Sequence, residues 1–304
     1  MKRLLIMLFS LVALGLLMTG VNLADTGYVG QDSCKGCHEE SYTSYATSVH
    51  AKKAAPGSPG SGQGCESCHG PGSAHVGKSG GKGTGMTAFN RTGDAGERTK
   101  KCLQCHEASK QLTSWSMSKH NSEGLSCDDC HSAHSGGAKN LKKKQPDLCF
   151  GCHRDISSQT NRQSHHPIVE GKVSCTDCHD PHGDFGAKML KGDSVNELCY
   201  SCHAEKRGPY MWQHAPVEEN CLNCHVAHGS NHSKLLSKRM PYLCQDCHVE
   251  GSHPRSAYGS ASTFEPPNTS SNPNRLVARS CLNCHSNIHG SNGPHGASGP
   301  YFVR

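Results

Sequence analysis

Apolar residues are spread very unevenly along this chain of 304 residues. One continuous run, residues 4–18, follows Lys2 and Arg3 and leads into Thr19 and Gly20, the pattern of a secretory signal. The run is short for a membrane span, so residues 1–24 read as a signal peptide cleaved after Ala24. Beyond Ala24 only 32 of 280 residues are Leu, Ile, Val or Phe, far under the ~20% below which charged chains tend towards disorder. Strand signals are almost absent. Segments such as NLKKKQPDLC, MLKGDSVNELC and LLSKRMPYLC predict a brief apolar contact and then a turn into a short helix. Residues 53–63 and 77–85, rich in Gly, Ser, Lys and Pro, and 256–274, rich in Ser, Asn and Pro, read as loops. The pattern predicts a mostly irregular protein with short helices and little or no strand. Such a polypeptide could hardly bury a core of its own.

Cysteine changes this picture. All 20 cysteines fall in ten Cys-x-x-Cys-His sequences, the attachment signature of c-type haem. They are Cys34 and Cys37, Cys65 and Cys68, Cys102 and Cys105, Cys127 and Cys130, Cys149 and Cys152, Cys175 and Cys178, Cys199 and Cys202, Cys221 and Cys224, Cys244 and Cys247, and Cys281 and Cys284. The thiols of each motif form thioethers to a porphyrin edge, and the next residue ligates iron: His38, His69, His106, His131, His153, His179, His203, His225, His248 or His285. Zinc ribbons and disulfide frameworks are the competing readings, but neither requires a histidine after every second cysteine. Ten haem c groups would supply the buried apolar surface that the polypeptide lacks.

The motifs repeat in pairs. Units opening at Cys102, Cys149 and Cys199 carry one motif, an upstream lone histidine, and a second motif of the form Cys-x-x-Cys-His-x-x-His. Cys244 opens a partial fourth unit. The organisation expected is a signal peptide (1–24), an N-terminal two-haem region (25–101), repeated two-haem units (102–248) and a C-terminal loop with the tenth haem (249–304). Stacked repeats of this kind form an elongated haem array in which each unit touches its neighbours.

Thirteen histidines remain for the distal side of the irons. His120 and His214 each lie seven residues before a motif, and His165 and His166 lie ten and nine before one. His134, His182 and His228 follow a proximal histidine by three residues, too close to reach the opposite face of the same iron, so they should cap neighbouring haems. His50, His75, His253 and His289 complete a set of ten with one of His165 and His166, while His232 and His295 have no counterpart in the repeat. No methionine recurs at a repeated spacing, so bis-histidine, low-spin haems of comparatively low potential are expected. Catalysis at haem needs an open coordination position, and no Cys-x-x-Cys-Lys motif occurs, which favours an electron carrier over a haem reductase. Trp115 and Trp212 are expected to cover haem edges. The formal charge of +6 does not mark a nucleic-acid binder, because two of those charges lie in the leader and haem propionates would add negative charge.

Several segments resemble the periplasmic decahaem c-type cytochromes of the MtrA/DmsE type: CESCHGPGSAH (65–75), SHHPI (164–168), CTDCHDPHG (175–183), GPYMWQHAPV (208–217), CLNCHVAHGSN (221–231), CQDCHVEGSHP (244–254) and CLNCHSNIHGSN (281–292). The resemblance implies a periplasmic protein threaded into an outer-membrane β-barrel porin, passing electrons from periplasmic donors to an extracellular cytochrome or reductase. It implies bis-histidine coordination, with His75, His182, His214, His228, His253, His289 and one of His165/His166 on the distal side. A freely diffusing periplasmic carrier is the alternative that the sequence leaves open.

Overall fold

The computed structural model of the protein describes residues 27–81, 85–135, 137–248, 281–283 and 285–293. His253, His295, Cys284, the signal peptide and the 256–274 loop lie outside the described residues. Two compact units divide the chain. The first contains residues up to Ser109 together with Gly124–Lys142, and the second contains Lys110–Glu123 and the chain from Lys143 onward.

The secondary structure is as sparse as the apolar pattern predicts. Most motifs sit on a single turn of helix, as in Glu66–His69, Cys127–Cys130, Cys175–Cys178 and Tyr242–Gln245. The exception is Ala95–His106, which reaches twelve residues. Asp94 starts it by accepting from the Glu97 N–H at 2.7 Å, and good helix formers follow. At Cys127 and Cys175 the third helical residue does the capping instead. Asp129 and Asp177 reach back to accept from the N–H groups of Ser126 and Ser174 at 2.8 and 2.7 Å. The described strands are two residues each: β1 (Ser164–His165) pairs antiparallel with β2 (Gly229–Ser230). Gly229 is required there, because a Cβ would collide with the Gln159 carbonyl.

Among the described residues only Tyr45, Trp115, Ile168 and Leu236 are buried hydrophobics. Polar groups do much of the cross-bracing. In the first unit Glu66 is 1% exposed and accepts from three main-chain N–H groups, those of Val29 (3.0 Å), Gly30 (2.8 Å) and Gly72 (2.8 Å). It thereby ties the N-terminal segment to the motif at Cys65 and to the approach to His75. Arg98, 3% exposed, lies against both oxygens of Asp128 at 2.7 and 2.6 Å and against Asp129 at 3.5 Å. Glu66→Gln would set an amide N–H against one of these donors and leave it unsatisfied. The expected cost is about 1–3 kcal/mol, read as a lower denaturation midpoint for the haem-loaded protein.

Candidate haem-binding site

The elements around each motif bring histidine rings face to face across the chain. In the first unit His38 lies opposite His75 with ring centroids 6.1 Å apart, His106 opposite His50 at 6.0 Å, and His69 opposite His134 at 6.2 Å. In the second unit the pairs are His153/His120 at 6.2 Å, His203/His166 at 6.3 Å and His179/His228 at 6.1 Å. His248/His214 and His225/His289 follow at 6.1 and 6.2 Å. Two imidazoles bound to opposite faces of one metal, with metal–nitrogen bonds of about 2 Å, place their centroids about 6 Å apart. All eight pairs meet that requirement, and each joins one proximal histidine to one candidate from the distal set.

The pairing follows a rule that the repeat only hints at. His134 and His228, each three residues after one proximal histidine, face the proximal histidine two motifs earlier. His289, four residues after His285, does the same. The lone histidines His50, His120, His166 and His214 face the proximal histidine two motifs later than the one they follow. Every such pair therefore pins together segments that are remote in sequence. His182 packs edge-on against the buried Trp115 at 6.4 Å.

The choice between His165 and His166 is resolved by the backbone. Successive side chains on an extended segment point to opposite sides. His166 faces His203 and donates from Nδ1 to the Ala227 carbonyl at 2.6 Å. His165 turns away, with Nδ1 at 2.6 Å from the Arg162 carbonyl and Nε2 at 2.9 Å from Glu170.

Main-chain carbonyls orient many of these rings. Among proximal histidines, Nδ1 donates from His69 to Thr87, from His131 to Lys139, from His179 to Lys188 and from His225 to Lys234, at 2.8–3.0 Å. Among the opposing set, His120, His166 and His214 donate to Pro181, Ala227 and Ile288 at 2.9, 2.6 and 3.1 Å. Each of these three acceptors immediately precedes the last histidine of a second-type motif. Such bonds fix the tautomer, leave Nε2 with its lone pair towards a metal, and raise ligand basicity. Burial holds His134, His214, His228 and His289 below the ordinary histidine range, which keeps them neutral and competent to ligate.

Lys139, Lys188 and Lys234 are not visible as site residues in the sequence. Each adopts a left-handed conformation, with φ of 54°, 61° and 58°, and so does the residue after it. This double left-handed turn brings the lysine carbonyl under the proximal ring and pairs Leu141, Leu190 and Leu236 with His131, His179 and His225. The recurring (Ala/Ser)-Lys-x-Leu, with its lysine eight or nine residues after the proximal histidine, is the available signal. Left-handed geometry costs a residue other than glycine about 1–2 kcal/mol. Lys188→Gly should therefore raise holoprotein stability by roughly 0.5–1 kcal/mol, while β-branched Lys188→Val should lower it by a similar amount or more. Chemical denaturation of the two variants checks the sign of both.

Within each unit the thiols make contacts of their own. Within consecutive motif pairs the first cysteines lie in hydrogen-bonding reach of each other: Cys34/Cys65, Cys102/Cys127, Cys149/Cys175, Cys199/Cys221 and Cys244/Cys281. Between pairs the second cysteines are near neighbours: Cys68/Cys105, Cys178/Cys202 and Cys224/Cys247. Motif spacing carries no sign of this alternation.

The polypeptide does not cover the attachment thiols equally. It leaves Cys37, Cys105, Cys152, Cys202 and Cys247 uncovered. They are the second cysteines of the first, third, fifth, seventh and ninth motifs. Their first cysteines, Cys34, Cys102, Cys149, Cys199 and Cys244, are half-buried, as are both described thiols of every even-numbered motif up to Cys224. The difference lies in where the chain goes next. After Cys130, Cys178 and Cys224 it loops back, and the N–H groups of Lys142, Lys191 and Ser237 donate to the carbonyls of those cysteines at 2.8–2.9 Å. After Cys37, Cys152 and Cys202 it runs straight on into the helices Glu39–Ala46, Arg154–Thr160 and Ala204–Lys206. Polypeptide therefore covers the second thiol in one motif type and leaves it at the surface in the other. Cys105, Cys202 and Cys247 nonetheless each lie beside a half-buried thiol of a neighbouring motif.

Trp212 braces the last described motif. Its N–H and carbonyl pair with Ser291, its indole donates to the Gly293 carbonyl at 3.2 Å, and Met211 N–H bonds Asn292. Gly290, at φ +141°, leaves room for the Tyr210 ring beside His289.

Attachment thiols in contact within each unit, and eight motif histidines each facing a second imidazole, define a multihaem c-type cytochrome, an electron-transfer protein carrying haem c. A family model described as a doubled CXXCH motif matches residues 119–158, 165–208 and 214–253. The multiheme cytochrome MtrA of Shewanella baltica is 40% identical over 272 residues, covering 88% of this chain and 80% of the relative. The chain belongs to the MtrA family of multihaem cytochromes. It is also 25% identical to the C-type polyheme cytochrome OmcB of Geobacter sulfurreducens, over 84% of this chain but only 36% of that longer protein.

Proposed function

We propose that the protein is an all-bis-histidine decahaem conduit that carries electrons from periplasmic donors across the outer membrane. Ten motifs supply ten proximal histidines, and His50, His75, His120, His134, His166, His182, His214, His228, His253 and His289 form the opposing set. The observation that carries the reading is the set of eight facing ring pairs at 6.0–6.3 Å. An iron held on both faces by imidazole has no open position for a substrate, so its role is to change valence. The alternating cysteine contacts support the same reading. They bring the attachment edges of successive haems together within each unit, where short edge-to-edge distances favour hopping. Two histidine ligands without methionine favour low potentials.

The resemblance to MtrA-type cytochromes implies a periplasmic location, with an outer-membrane β-barrel and an extracellular cytochrome or reductase as partners. No helix among the described residues is long and apolar enough to cross a membrane, so in this reading the barrel supplies the passage. The test is electron transfer across liposomes loaded with an oxidant that cannot permeate. With protein and barrel together, an external reductant should discharge the internal oxidant. Equal rates with and without the barrel would assign the protein as a freely diffusing periplasmic carrier.

A further inference from the structure

Building on the bis-histidine reading, we infer that His50 and His106 hold the highest-potential iron among the three ring pairs described in the first unit, a resting place for electrons inside the conduit. Ring orientation singles out this pair, and hydrogen bonding points the same way.

The first is ring orientation. The His50 and His106 planes are 89° apart, whereas the other seven pairs lie between 14° and 59°. Each imidazole donates π density mainly into the iron orbital perpendicular to its own plane. When two rings are parallel they act on the same orbital, split the pair, and stabilise the electron hole of the ferric state. Orthogonal rings act on both orbitals equally. The ferric state loses that stabilisation and its unpaired spin becomes highly anisotropic.

The second is hydrogen bonding. In six of the other seven pairs one imidazole donates from Nδ1 to a main-chain carbonyl. His50 Nδ1 is buried and makes only a weak contact with the carbonyl of Ala133, the residue preceding His134, where its counterparts close full hydrogen bonds. A ligand with a weaker bond of this kind is a poorer donor and stabilises ferric iron less. Both effects raise the potential.

Local charge does not reverse the conclusion. The buried cation on the helix of Cys102 and His106, Arg98, is offset by Asp128 and Asp129. The position in the line suits storage. Cys105 lies beside Cys68 of the preceding motif, and Cys102 beside Cys127 of the following one, so the centre is fed from both sides. His50 and His106 are thus positioning ligands that decide where an electron waits.

Electron paramagnetic resonance during a potentiometric titration of the full holoprotein tests this. A highly anisotropic low-spin ferric signal should be among the first to vanish as the potential is lowered. His50→Ala should abolish that signal and produce a high-spin one. His50→Met, which keeps a sixth ligand, should abolish it without a high-spin signal. His228→Ala, altering a near-parallel pair at 18°, should leave it intact. Survival of the signal in both His50 variants, or its persistence until the last stages of reduction, would overturn the inference. Extensive high-spin signals in the unaltered protein would instead refute the bis-histidine reading on which it rests.

Discussion

Expressed where haem cannot be attached, the chain should fail to fold. Far-ultraviolet circular dichroism should show a disordered spectrum, and proteases should cut it throughout. The reason is quantitative in character. Ordering a residue costs about 1–2 kcal/mol of backbone entropy, which apolar burial must offset. The described residues bury only four hydrophobic side chains, and the helices that carry the motifs are mostly single turns that cannot persist alone. The polar braces do not fill the gap. The Glu66 and Arg98 clusters form only after their segments have been brought together, and each partner loses hydration in doing so. Ten flat apolar macrocycles, each fixed to two thiols and gripped by two distant histidines, would both fill the interior and crosslink it. A cooperative, native-like dichroism signal from the haem-free chain would contradict this.

Replacing His166 by alanine should convert one low-spin centre to high-spin, while the same change at adjacent His165 should leave every centre low-spin. His166 is the ring that faces His203 at 6.3 Å, and the Ala227 carbonyl fixes its orientation. Without it the iron at His203 is five-coordinate or takes water, and its reduced form should bind one equivalent of carbon monoxide. Its potential should rise, since the remaining imidazole alone stabilises ferric iron less. His165 contributes only a solvent-screened surface pair with Glu170, which adds little to stability. Magnetic resonance and carbon monoxide titration of the two variants distinguish the neighbours. High-spin signals from His165→Ala, or none from His166→Ala, would show that the ring pairing is misassigned.

Attachment and proximal ligation were legible in the sequence because covalent chemistry imposes a fixed spacing that survives any fold. How far polypeptide encloses each thiol was not. Cys37 and Cys130 occupy the same place in their motifs, yet only Cys130 has a returning segment against its carbonyl. The distal histidines were legible as a set, because His120, His214, His134 and His228 recur with the repeat. Their partners were not, since the facing residue sits two motifs away and only folding brings it there. The His165/His166 ambiguity could not be settled in one dimension. It turns on which of two neighbouring side chains an extended segment directs inward, and β1–β2 pairing decides that. Lys139, Lys188 and Lys234 act through their carbonyls, so side-chain chemistry gave no reason to single them out. Glu66 occupies a variable position inside its Cys-x-x-Cys-His motif, and its burial against three main-chain donors leaves no mark on spacing.

The account rests on iron centres that are both the interior and the working parts of the molecule, and intact mass spectrometry of the denatured mature protein tests it most directly. Thioether-bound haem survives denaturation, so the mass should equal the polypeptide plus ten haems, with no thiol left to alkylate, Cys37, Cys105, Cys152, Cys202 and Cys247 included. A mass with substantially fewer haems, or free thiols accompanied by stoichiometric zinc in the native protein, would contradict it.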